Sequence, residues 1–383
     1  MNGPVAPFRF LLPTEAVFGA GSFASLSEHV ARSGTRPLIV TGKRSARAAG
    51  ILDRALEQMP GACVFDAIDE NPDTTICERG AEVCRQHGCD VIVAIGGGSP
   101  MDAAKAIAIL ARNDAPCARY FGAEQYTGPP LPVIAVPTTA GTGSEATPFA
   151  VIVDPDRRAK RSIAGAALFP RVAVLDPELA RTMPRHVTIA TGLDALSQCM
   201  EGVVSKKPTP VGDALALDGI RRILEFLPRA ADDGSDHEAR TQMLYAAFGS
   251  GIIVAQSGTT LVHGMGYSYT IECGIAHGLA NALLLAPLFV HNARVAPDRV
   301  ARVAEAMGCG PANPGPAVAG ALHRFLARLG VSPAARDHGV AERQLDTFAT
   351  QIANDSYRFR NQIGDLGRDE VLGFYQKSFL GVV

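Results

Sequence analysis

The chain has 383 residues, 47% of them hydrophobic and 19% charged, an ordinary globular balance whose length calls for two domains. Lys+Arg number 36 against Asp+Glu 38, a formal net charge of −2, so no basic excess points to nucleic acid or to an anionic membrane surface. The eight cysteines form no C-x-x-C pair and no short framework spacing, which excludes a disulfide scaffold and fits free thiols in a reducing cytoplasm.

The first ten residues, Met1 to Phe10, hold no basic segment followed by an apolar run, so no secretory leader is expected. Residues 37–41 are a short β-branched run, followed by a helical pattern over 45–59. The same alternation recurs with an apolar run at 91–95 and a helical pattern over 100–112, which reads as βα units on a parallel sheet. Between the latter two stand Gly96, Gly97, Gly98 and Ser99, with Asp102 and Lys105 on the helix that follows. Glycines there serve a plain turn or let the backbone close on a pyrophosphate, which the helix N-terminus would attract. A second loop, Pro137 to Ser144, follows the apolar run 132–136 and interleaves Thr138, Thr139, Thr142 and Ser144 with glycines. It is either a polar surface turn or a set of hydroxyls for phosphate, ribose and carboxamide groups.

From about residue 186 the strand-like runs vanish and helical patterns take over, as in 210–227, 238–255 and 314–329, with connectors at 205–212, 231–237 and 307–316. The apolar stretches 246–256 and 279–290 are too short for a membrane span and contain Gly, Pro, Asn or Gln. The predicted fold is an α/β dinucleotide-binding domain over 1–185 and an α-helical domain over 186–383. In that second half Asp194 and Gln198 lie one helical turn apart on one face, and His263 and His277 are each followed by glycine. A single histidine among apolar residues is usually a core residue; two, with a carboxylate and an amide oxygen, make a mixed oxygen and nitrogen shell. Such a shell suits Fe, Zn, Co or Mn. With phosphate loops in one half and ligands in the other, the expected active site is the cleft between domains.

The spaced motifs Phe18-Gly19-Ala20-Gly21, Glu70-Asn71-Pro72, Gly96 to Asp102, Pro137 to Glu145 and the segment from His263 to His277 together resemble the iron-containing, or group III metal-dependent, alcohol dehydrogenases over nearly the whole chain. The resemblance implies a dehydroquinate synthase-like architecture, a nucleotide held by both loops with Lys160 near the ribose, and at least a homodimer that uses the 8–18 strand at a sheet edge. Three positions depart from the family pattern. Gln198 stands where relatives usually carry a histidine ligand. Tyr267 stands where many carry a histidine that passes the alcohol proton outward, and a phenol is a poor base near neutral pH. Gly42, followed by Lys43, Arg44 and Ser45, stands where many NAD-specific relatives carry an aspartate, so a 2′-phosphate becomes acceptable and NADP or NAD is expected.

The function these residues imply is an NAD(P)-dependent alcohol dehydrogenase or aldehyde reductase, soluble and cytoplasmic, acting on a small alcohol or aldehyde with the help of a divalent metal. Tyr267, His263 and His277 are the catalytic candidates. The alternatives are a metal-independent reductase of the maleylacetate reductase type and a lyase of the dehydroquinate synthase type, the latter expecting basic residues around the histidines that this chain does not show. Residues 268–272, with Tyr269 and Glu272, are expected to face the pocket and to suit a polar substrate. The tail Tyr357 to Asn361 is expected on a surface helix, with a cation able to project toward substrate.

Overall fold

The β-branched runs of the first half become strands, which the structure, a computed structural model describing residues 7–157 and 159–383, delimits as follows. They are β1 (Glu15–Phe18), β2 (Pro37–Gly42), β3 (Cys63–Ile68), β4 (Val91–Gly96), β5 (Gly122–Ala123), β6 (Val133–Pro137), β7 (Phe149–Asp154), β8 (Ala159–Ala164) and β9 (Val172–Leu175). A six-stranded sheet runs in the order β1-β9-β6-β4-β2-β3, and a three-stranded one in the order β5-β8-β7. Every pairing in the larger sheet is parallel. The helices of this half are α1 (Leu26–Ala31), α2 (Ser45–Ala48), α3 (Ile51–Gln58), α4 (Thr74–Gln86) and α5 (Gly98–Leu110).

Alternating side chains of the central strands feed two cores, because successive residues of a strand point to opposite faces. Leu38, Val40, Ile92 and Ala94 pack with α4 and α5, whereas Ile39, Val91, Val93 and Ile95 pack with α1 and α3. Covered on both faces, β4 is buried along its whole length. The single helix expected over 45–59 is split, because Gly50 takes a φ of 67° that ends one helix and starts the next.

The second half contains α6 (Arg185–Val204), α7 (Pro210–Asp232), α8 (His237–Ser257), α9 (Leu261–Cys273), α10 (His277–Val295), α11 (Pro297–Ala306), α12 (Pro314–Arg328), α13 (Leu345–Ala353), α14 (Ser356–Phe359) and α15 (Arg368–Leu380). The connectors are shorter than expected: α7 begins at Pro210, capped by Thr209, whose hydroxyl accepts from the Gly212 amide. Helix α12 likewise begins at Pro314.

The chain divides into two compact units, Leu12–Met183 and Pro184–Val383, and the segment ending at Leu11 belongs with the latter. The Leu11 amide donates to Gln256 Oε1, and Gln256 Nε2 donates to the Leu11 carbonyl. That tie explains why the expected strand over 8–18 is paired only from Glu15 onward. The leader reading falls largely on residues 1–6, outside the described residues. Among the described residues no helix is long and apolar enough to cross a membrane.

Candidate active site

Two glycine-bearing loops leave adjacent strands of the first unit. Gly96 closes β4 beside Pro137 at the end of β6, so both loops emerge at the carboxyl edge of the sheet. They fit each other closely: a Cβ on Gly97 would lie 3.2 Å from Thr139 Oγ1, and one on Gly98 only 2.8 Å from Thr142 Cγ2. The Thr138 amide donates to the Gly96 carbonyl at 2.9 Å. No side chain caps α5, whose N-cap is Gly97. The Ser99 hydroxyl accepts from the amide of Asn71, which is held at a φ of 58°.

Asp102 and Ser144, aimed at the nucleotide by the sequence reading, are engaged as braces. Ser144 Oγ donates to Asp102 Oδ1 at 2.6 Å, and the fully buried Lys105 Nζ donates to Ser144 Oγ at 2.8 Å and to the Phe149 carbonyl at 2.9 Å. Asp102 Oδ2 accepts from the Val151 amide, which ties β7 to α5, and Lys160 on β8 is near enough to act on the Asp102 carboxyl. Burial raises that carboxyl's pKa against Lys105, Ser144, Val151 and Lys160. Burial also pushes Glu145 up to about 7 and Lys105 down to about 8. Gly42 ends β2, the neighbour of β4, at the point where the strand order turns back; Lys43 beside it pairs with Asp69.

In the second unit Asp194, His263 and His277 offer ligand atoms that all lie within 4.8 Å of one another. Helix α6 supplies Asp194, α9 supplies His263, and α10 begins at His277. The glycine after His277 makes the meeting of α10 and α6 possible, since a Cβ on Gly278 would lie 1.9 Å from the Ala190 carbonyl. His263 Nδ1 is hydrogen-bonded to Glu201 Oε2, which turns Nε2 toward Asp194 Oδ1 at 3.4 Å. That buried Nε2 has no hydrogen-bond partner among the described residues. Burial disfavours protonation of His263, but Glu201 and Asp194 outweigh it and raise its pKa to about 10. Burial likewise pushes Asp194 up, while His263, His277 and Asn281 outweigh it and hold the carboxyl below its ordinary value. His263 thus lies where positive charge is favoured, and a divalent cation that displaces its Nε2 proton fits that nitrogen beside a carboxylate.

The sequence matches the family description "Iron-containing alcohol dehydrogenase" over residues 13–177 and "Fe-containing alcohol dehydrogenase family, C-terminal" over residues 188–379. The chain belongs to the iron-containing alcohol dehydrogenase family. It is 32% identical over 356 residues to an NAD-dependent methanol dehydrogenase of Bacillus methanolicus, covering 91% of this chain and 93% of that one. It is 37% identical over 342 residues to a 4-hydroxybutyrate dehydrogenase of Cupriavidus necator, covering 85% of this chain and 88% of that one. The structure of a sulfoacetaldehyde reductase from Bifidobacterium kashiwanohense in complex with NAD+ superposes with a TM-score of 0.89 at 31% identity, over 98% of this chain and 99% of that one. As a member of this family the protein is an oxidoreductase that interconverts an alcohol and an aldehyde or ketone with a nicotinamide nucleotide.

Against that family background, the departures have structural counterparts. Gln198 Nε2 donates to Asp194 Oδ2 at 3.2 Å, and its oxygen, the atom expected to face an ion, accepts from Ser250 Oγ at 2.7 Å. Tyr267 lies one turn after His263 on α9 and stacks on His277, with ring centroids 5.1 Å apart and an interplanar angle of 11°. The expectation that residues 268–272 face a polar pocket is corrected. Tyr269 is fully buried, its hydroxyl donating to Ser378, and Glu272 is exposed, because helical periodicity turns Tyr269 to the side opposite Tyr267. Cys273 is a half-buried thiol whose pKa burial raises.

Two residues that brace the candidate ligands escaped the sequence reading. Glu201 is wholly buried on the Asp194 face of α6 and accepts from the Thr260 amide and hydroxyl as well as from His263. Its signal was available, as an acid seven residues after Asp194 and so on the same face of the helix. Asn281 donates to Asp194 Oδ1 at 3.2 Å, one turn after His277.

Proposed function

We propose that Asp194, His263 and His277 hold one divalent ion of the Fe, Zn, Co or Mn type, and that the loops at Gly96–Ser99 and Thr138–Ser144 receive NADP or NAD, with Gly42 and Lys160 at the ribose. The unpartnered Nε2 of His263 beside Asp194 carries the metal reading. When bound, the ion supplies Lewis acidity toward the oxygen of an alcohol or carbonyl. Glu201 fixes the tautomer that presents Nε2, and Asn281 and Gln198 hold the Asp194 carboxylate by its two oxygens. Tyr267 keeps the His277 ring in place and orients the substrate oxygen; as a phenol it donates rather than abstracts. The nicotinamide, held by the two loops, would supply the hydride chemistry.

Both nucleotides are accepted because no carboxylate stands at Gly42, and the exposed Lys43–Asp69 pair gives way to a 2′-phosphate at small cost. The substrate is a small alcohol or aldehyde, as the names of the relatives imply, and the protein works in the cytoplasm as a homodimer. Gln198 favours a second reading: with its oxygen turned to Ser250, the chain would act as a metal-independent carbonyl reductase. Elemental analysis of protein purified without added metal, with NADPH and NADH oxidation by short aldehydes before and after chelation, separates the two. About one equivalent of metal per chain, with activity lost to chelator and restored by the ion, is expected. Undiminished turnover by metal-free protein would overturn the metal assignment, and turnover with NADH alone would overturn the dual nucleotide use.

A further inference from the structure

The C-terminal tail contributes an arginine to the same wall as the histidine cluster. Helix α14 carries Arg358, whose guanidinium lies 4.9 Å from the centroid of the Tyr267 ring, the ring that stacks on His277. Its stem runs over α9 beside His263: a Cβ added to Gly264 would lie 3.2 Å from Arg358 Cδ and 3.4 Å from its Cβ. Glycine after His263 therefore makes room for this side chain. Nε donates to Asp355 Oδ2 at 3.1 Å, which fixes the plane of the guanidinium. Among the described residues that is the guanidinium's only hydrogen bond, so Nη1 and Nη2 are free to donate. The side chain is 20% exposed, sheltered enough for its charge to count and open enough to be reached.

We infer that Arg358, backed by Tyr267, receives an anionic group at the far end of the substrate, so that the substrate is a short aldehyde or alcohol whose other end is a carboxylate or an equivalent oxyanion. The guanidinium lies no more than about 10 Å from the His277 ring, a span that a short-chain substrate bridges. Two parallel N–H groups match the two oxygens of such an anion, and the phenol ring beneath holds the fork by cation–π contact. This gives Tyr267 a purpose that a histidine would serve less well, since a protonated histidine there would repel the guanidinium. The inference rests on the dehydrogenase reading of the histidine cluster.

The test compares 4-oxobutanoate with butanal, equal in chain length and different in charge, in the wild type, in Arg358→Met, which keeps the stem over Gly264, and in Arg358→Lys. The wild type is expected to prefer 4-oxobutanoate in kcat/KM. Arg358→Met should raise the KM for 4-oxobutanoate about 10- to 100-fold more than that for butanal, the loss expected for hydrogen bonds to a charged group, and Arg358→Lys should recover part of it. Calorimetric titration with succinate, which cannot react, reads the same subsite without turnover: one site per chain in the wild type, lost in Arg358→Met. Equal losses for both aldehydes, or succinate binding that survives Arg358→Met, would overturn the inference. Arg358-dependent succinate binding by a protein that turns over neither aldehyde would uphold the anion site and sink the dehydrogenase reading instead.

Discussion

His263 is a ligand candidate only because Glu201 decides which of its nitrogens carries the proton. One carboxylate oxygen takes the Thr260 amide and hydroxyl, and the other takes His263 Nδ1. Glu201→Gln replaces one oxygen with an NH2 group, and whichever way the amide turns, a donor faces a donor. The neutral imidazole relieves that clash by keeping its proton on Nε2, so the tautomer that offers Nε2 to an ion loses its support. The expected outcome is a 10- to 100-fold weaker affinity for Zn2+ or Co2+, measured by competition with a chromophoric chelator. Unchanged affinity would remove Glu201 from the site. Asp194, His263 and His277 were legible in the sequence because their residue types are costly to bury without a purpose. Glu201 was overlooked because attention to one helical turn stops at Gln198, whereas the same face continues to position 201.

At the scale of elements, what could be read was periodicity, and what could not was how elements end and where they meet. The βα alternation and the late helices follow from side-chain period alone. The split at Gly50 depended on a backbone angle, and the buried state of Tyr269 depended on which neighbours cover α9. The edge of the large sheet bears on assembly. Among the described residues strand β1 pairs with β9 only, and Phe18 at its end is 40% exposed. A parallel edge strand that ends in an exposed aromatic ring invites a second copy. Sedimentation should accordingly give twice the chain mass for the wild type and a shift toward monomer for Phe18→Glu, a surface change that leaves the core intact. A wild-type monomer, or a variant that stays fully dimeric, would exclude this edge as the interface.

The proposed function divides its two binding tasks between the two units: the candidate nucleotide loops lie within Leu12–Met183, and the histidine cluster lies within Pro184–Val383. This division was visible in the order of motifs, since glycine-rich turns after apolar strands and ligand-type residues in helices belong to different halves. The tie of Leu11 to Gln256 was not, because it joins side chain to backbone across a long stretch of sequence. Each ligand stabilises the unit that binds it, by about 2.7 kcal/mol at a hundredfold excess over its Kd, and amide exchange through opening of that unit should slow about 100-fold. Hydrogen exchange with NADPH alone should therefore protect β2, β4, α5 and the loop at Thr138–Ser144. Addition of Co2+ alone should instead protect α6, α9 and the start of α10, where Asp194, His263 and His277 reside. The two patterns are expected to be complementary, because neither ligand has donors in the other unit's candidate set. Protection by Co2+ centred on the glycine loops, or spread evenly over both units, would mean that the ion binds somewhere other than the histidine cluster.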